Sequence, residues 1–136
     1  MQYSTPIEAE QAFYKAFSQQ DVSAMMAIWL NTDYIECIHP GSRRLIGPHA
    51  IEQSWTDIFK HAEPLNFQVE TQQRTQSAQL AIHTVTESIT QTLPQQMLIQ
   101  VYATNVYELT QDGWRMVLHH ASPGQSIDLN KQAVRH

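Results

Sequence analysis

Cysteine is nearly absent: Cys37 is the only one in 136 residues. No disulfide can form within the chain, and no cysteine-based zinc site can be built from it. Basic residues are also scarce, 8 against 13 acidic, for a formal net charge of −5. A nucleic-acid-binding module shows the opposite excess, so no nucleic-acid partner is expected, and nothing would draw the chain to an anionic lipid surface. No run approaches the roughly 18 apolar residues of a membrane span, so no membrane partner is expected. Met1 to Glu10 has neither a basic start nor an apolar centre, so no signal peptide is read there and the cytoplasm is the expected location. Charged residues reach only 15%, yet 42% are apolar, and Gln carries much of the polar share. The chain is therefore expected to fold, as one domain over 1–124 with a tail over 125–136.

What is present reads as helices first and strands later. Ile7, Phe13, Ala16 and Phe17 recur at near-helical spacing over Pro6 to Ser18. Thr5 is placed to cap that helix, with Pro6 at its first position and Glu8 as in a capping box. Asp21 reads as a second cap before Val22 to Leu30, where Met25, Ile28 and Trp29 share a face. Asp33 to His39 reads as a strand ended by Pro40-Gly41, and Arg43 to Ile46 as a brief return strand. Gly47-Pro48 opens a third helix with Ile51, Trp55, Ile58 and Phe59 on one stripe, and Pro64 marks its end.

Four strands follow: Leu65 to Arg74, Ala78 to Ile89, Gln95 to Leu109 and Trp114 to Ala121. The third is long enough to require a bend or bulge. Asp112-Gly113 marks a hairpin turn, and Ser122-Pro123-Gly124 stops the last strand. On simple alternation Trp114, Met116 and Leu118 share the face of His120, and Val117 that of His119. The order implies an α+β domain: three helices on a strongly bent, mostly antiparallel sheet forming a cone.

Several stretches carry a family resemblance. They are Asp21 to Trp29, the Cys37-Ile38-His39-Pro40-Gly41 turn, and Gly47-Pro48-His49-Ala50-Ile51 with Ser54-Trp55. Ala103 to Tyr107 and the ending Trp114 to Pro123, with its His119-His120-Ala121-Ser122-Pro123, complete the set. Over about Ile7 to Pro123 the chain resembles the SnoaL-like branch of the nuclear transport factor 2-like superfamily, which has a cystatin-like fold. Within it, the chain is similar to small bacterial proteins resembling the association domain of calcium/calmodulin-dependent kinase. The resemblance implies a pocket between helices and concave sheet, and homodimers or larger rings made through the outer sheet face. It also implies relatives that are isomerases, cyclases and dehydratases, so the fold alone does not give a reaction.

Ketosteroid isomerases in that superfamily set an Asp base against a Tyr and a protonated Asp. The resemblance puts their Tyr at or beside Phe13, with Tyr14 a 100° turn away and facing elsewhere. Their base falls near Cys37 to His39, where only Glu36 is acidic, and their second acid near Asn105. The isomerase set is thus absent as such. His39 can still act as a general base, Asn105 as a hydrogen-bond donor to a carbonyl or oxyanion, and His119 or His120 as a second proton-transfer group. Trp29, Cys37, Arg44, Trp55 and Tyr102 are candidate pocket residues. The expected ligand is a small apolar or carbonyl-containing molecule, with no cofactor and no metal. The blander readings stand beside these. His39 bonds the turn backbone, Cys37 is a small buried hydrophobe, the tryptophans are core or pocket wall, and Arg44 is a solvated surface charge. A non-catalytic ligand pocket and an oligomerisation module are the competing functions.

Overall fold

A computed structural model describes residues 2–61, 66–92 and 94–130, the side chain of Phe67 excepted. Helix α1 spans Pro6–Gln19 and α2 Val22–Ile28. Thr5 Oγ1 accepts from the Glu8 amide at 3.1 Å, and Asp21 Oδ1 accepts from the Ala24 amide at 3.0 Å. Each cap satisfies an otherwise orphaned helix N–H, worth about 1 kcal/mol. Strands β1 (Glu36–Ile38) and β2 (Arg44–Ile46) flank the Pro40-Gly41 turn, and α3 covers Pro48–His61. The expected end at Pro64, and Leu65 as the start of the next strand, lie outside the described residues.

Strands β3 (Phe67–Gln76), β4 (Leu80–Gln91), β5 (Met97–Thr110) and β6 (Gly113–Asp128) complete one sheet in the order β2-β1-β6-β5-β4-β3. Every pair is antiparallel except β1 with β6. The α+β class and its three helices on a mostly antiparallel sheet are as the sequence implied. At the β5–β6 turn Gly113 has φ +95°, and a Cβ there would lie 2.7 Å from the Tyr3 carbonyl oxygen. Only glycine fits that turn.

Three expectations are corrected. The exposed Ile7 lies off the buried stripe of α1, which instead includes Ala9, Glu10, Phe13, Tyr14 and Ala16. Strand β6 does not stop at Ser122-Pro123-Gly124 but runs on to Asp128, paired with Met97. Finally, Trp114 and Met116 face the core together with His119, and not outward with His120. The pairing of β5 with β6 slips between Val106 and Tyr107, so Leu118 opposes Val106 while Met116 opposes Tyr107. Val117 is the extra residue of this bulge, and one extra residue inverts the alternation on either side of it.

The core lies between the helices and one sheet face. Trp55, Phe13, Met25, Ile28, Ile35, Ile51 and Tyr107 are fully enclosed there. Burying a side chain such as Phe13 contributes about 1.5–3 kcal/mol.

Candidate functional site

Strand register lines up a row of polar residues across the core face. Cys37 of β1 pairs with His119 of β6, His119 with Asn105 of β5, Asn105 with His83 of β4, and His83 with Arg74 of β3. Buried polar groups are tolerated only when hydrogen-bonded, and helix α1 supplies partners from above. Its Glu10 and Tyr14 are four residues apart and so share a face.

The partners form two clusters. In the first, Asn105 Oδ1 lies 2.6 Å from His119 Nδ1, and Asn105 Nδ2 donates to the Tyr14 hydroxyl at 2.9 Å. Tyr14 in turn donates to Glu87 Oε2 at 2.8 Å. With the Asn105 amide set that way, His119 carries its proton on Nδ1, and the chain runs donor to acceptor from His119 through Asn105 and Tyr14 to Glu87. In the second cluster Glu10 accepts from Arg74 at 2.9 Å, from Thr71 at 3.1 Å and, at 2.9 Å, lies against His83 Nδ1. Burial by itself would raise the Glu10 pKa, but His83, Arg74 and Thr71 together hold it below the ordinary value. The fully buried Tyr107 packs on His83, its hydroxyl without a hydrogen-bond partner.

His39 stands beside the first cluster, half-buried, after β1. Its ring meets Trp55 edge-on at 4.8 Å and lies 6.4 Å from the His119 ring, centroid to centroid. Nε2 is 2.9 Å from Ser54 Oγ and 3.5 Å from Cys37 Sγ. The ring bonds helix α3 through Ser54, not the backbone of its own turn.

Burial sets the ionisation of this group. Loss of water lowers the His39 pKa to about 4 and the His119 pKa to about 3, the latter also through His39 and His120. Both imidazoles are therefore neutral near neutral pH, each keeping one basic nitrogen. Burial raises Glu87 to about 7, only partly offset by the Tyr14 hydrogen bond. It also pushes the Cys37 thiol up to about 12, so Cys37 is no nucleophile. The Tyr14 phenol is held well above its ordinary range by burial and then by the Glu87 charge.

The structure thus brings together His39, Asn105, His119, Cys37 and Trp55. It separates others. His120 faces the opposite side of the sheet, where with the exposed Tyr102, Thr104 and Ser122 it lines an outer cleft of about 430 Å³. Arg44, well exposed, pairs with the partly exposed Glu36 at 2.9 Å. Trp29 closes α2, bridges Met116 and belongs to the core. Tyr14 is not turned away, as its 100° offset from Phe13 suggested, but sits at 7% exposure at the centre of the network. Glu87, Ser54, Glu10 and His83 were not anticipated from the sequence.

Small side chains border the cluster. Val85, Ala103 and Ala121 form the next row on the core face, and Val101 opposes Glu87. Among the described residues, no group of three or more His, Cys, Asp or Glu is arranged to hold a metal ion.

The family model of the SnoaL-like domain matches residues 7–126. A solved structure from Thiobacillus denitrificans, named for the association domain of calcium/calmodulin-dependent protein kinase type II, is 39% identical. It covers 92% of this chain and 99% of its own, with a TM-score of 0.86. A structure from Streptomyces avermitilis, named for a dehydratase of the nuclear transport factor 2-like family, is 29% identical, covering 86% of this chain and 91% of its own, with a TM-score of 0.76. The F-box protein SKIP8 of Arabidopsis thaliana is 28% identical over 119 residues, 85% of this chain. This chain spans only about half of that relative, 48% of its length.

Proposed function

This chain belongs to the SnoaL-like domain family, and from that premise and its buried polar chain we propose that it is a small-molecule enzyme working by acid–base chemistry beside a carbonyl, as an isomerase, cyclase or dehydratase. One observation carries the reading. A four-residue hydrogen-bond chain ends on a buried carboxyl, Glu87, whose pKa near 7 lets it hold or release a proton at neutral pH. Acids and bases poised near the working pH cluster at catalytic sites, which is why this carboxyl supports the reading.

His39 is the base. Its ring is the partly accessible one of the pair, and it is uncharged at neutral pH. It takes a proton from the carbon next to the carbonyl, and the C–H electron pair moves onto the carbonyl oxygen. Asn105 holds Tyr14 with one Nδ2 proton and keeps a second for that oxygen. Glu87, protonated, returns a proton as the electron pair moves back, in the way a carboxylic acid kept neutral by an apolar site can donate.

The test is deuterium exchange. A panel of neutral cyclic ketones is incubated with the protein in heavy water, and loss of the proton next to the carbonyl is followed by NMR. Exchange above the buffer rate, lost in His39→Ala while the fold persists, supports the reading. No exchange above buffer for any ketone contradicts it.

The outer sheet face supports an assembly role as the alternative. Ile82 and Tyr102 are exposed there at 43% and 45%, and the 39%-identical relative is named for an association domain. Homodimers through this face predict that Ile82→Asp lowers the molecular mass in solution. An unchanged mass contradicts it.

A further inference from the structure

His39 has two ring nitrogens, and which one is basic depends on where its proton sits. Ser54 decides this. The Ser54 hydroxyl donates its single proton to the Ile51 carbonyl at 2.7 Å, an i−3 bond within α3. Toward His39 Nε2, 2.9 Å away, the same oxygen can then only accept. The opposite tautomer would set the Nε2 lone pair against an oxygen lone pair. The second neighbour of Nε2, Cys37 Sγ at 3.5 Å, is an undissociated thiol whose sulfur tolerates an N–H as a weak acceptor. The indole of Trp55, edge-on at 86° between planes, limits rotation of the ring.

Resting on the acid–base reading above, we propose that Ser54 is a positioning residue that holds His39 with its proton on Nε2 and its lone pair on Nδ1, so that Nδ1 is the nitrogen that receives the substrate proton. The step balances without further groups. The C–H bond breaks, its electron pair goes to the carbonyl, and the proton forms a new bond to Nδ1. The resulting imidazolium keeps its Nε2–H on Ser54, where the hydrogen bond strengthens because the donor is now charged. No proton passes to Ser54, whose own stays on Ile51. Ser54 is therefore neither a nucleophile nor a relay.

The experiment uses the full chain with ¹⁵N-labelled histidine and two-bond proton–nitrogen correlation at pH 7. For His39 a protonated Nε2 and a bare Nδ1 are expected. Ser54→Ala should mix the two tautomers and lower the deuterium-exchange rate roughly tenfold. Ser54→Thr should restore both, because a threonine hydroxyl in a helix can make the same backward bond. A wild-type His39 with its proton on Nδ1 overturns the proposal, and so does a Ser54→Ala spectrum with the tautomer unchanged. A wild type with the expected tautomer and no exchange with any ketone overturns the acid–base reading alone.

Discussion

The hydroxyl of Tyr14 donates to Glu87 at 2.8 Å, tying the first helix to the inner face of β4 with both side chains buried. This bond is what keeps the carboxyl pKa from rising still further. Tyr14→Phe should therefore raise the Glu87 pKa beyond about 7. It should also cost about 1–3 kcal/mol, because Asn105 Nδ2 loses its acceptor inside the core. Carboxyl carbon shifts and urea unfolding measure the two effects.

Stability should peak at mildly acidic pH. Between about 4 and 6.5 the unfolded chain protonates His39 while the folded chain does not, and His119 behaves alike from about 3. Stability is therefore lost as pH falls below 6.5. Glu87 acts in the opposite sense. Between 4.5 and about 7 the folded chain retains a proton that the unfolded chain has released, so this group removes stability as pH rises through that window. Two histidines outweigh one carboxyl, which leaves the maximum near 6.5. Unfolding midpoints across pH 4–9 check it.

Glu87→Gln separates these contributions. The amide oxygen still accepts from Tyr14, and no charge has to be buried. The variant should be more stable than wild type above pH 7 and closely similar below about pH 3.5, where Glu87 is largely neutral in the folded and the unfolded chain alike. If Glu87 is the proton-returning acid, ketone exchange should fall roughly a hundredfold.

Much of the fold was legible because it rests on local signals. The caps Thr5 and Asp21, the Asp112-Gly113 turn and the stripe of Ile51 and Trp55 each express a short-range preference that the core does not override. The face of β6 was not legible. The bulge at Val117 arises from pairing with β5, and alternation read along one strand cannot reveal it. Of the candidate cluster, His39, Asn105 and His119 could be named from position in the chain, because the structure brings together three residues that the sequence had singled out. Glu87 was missed for a physical reason: β4 carries apolar residues on both faces, Leu80 and Ile82 outside, Ala81 and Val85 inside, so a carboxylate reads as surface. A weak signal did exist. Glu87 has the same parity as Ala81, His83 and Val85, and Tyr14 lies beside Phe13 and Phe17 on a helix stripe broad enough to include it.

Asn105 holds two partners at once, so its variants should differ in kind. Asn105→Ala strands the His119 Nδ1 proton and removes a donor from Tyr14, costing about 2 kcal/mol or more. Asn105→Asp should instead raise the His119 pKa above about 3, because a carboxylate then faces the imidazole at 2.6 Å. Histidine NMR titration distinguishes the two.

The most direct measurement is the titration of the Glu87 side-chain carboxyl in the intact protein, followed by carbon NMR from pH 4 to 9 with Glu87→Gln to assign the signal. A buried acid that exchanges its proton at neutral pH requires a midpoint near 7. A midpoint at the ordinary 4.5 would mean a solvated, permanently charged carboxylate and would contradict an acid–base role for the chain that ends on it.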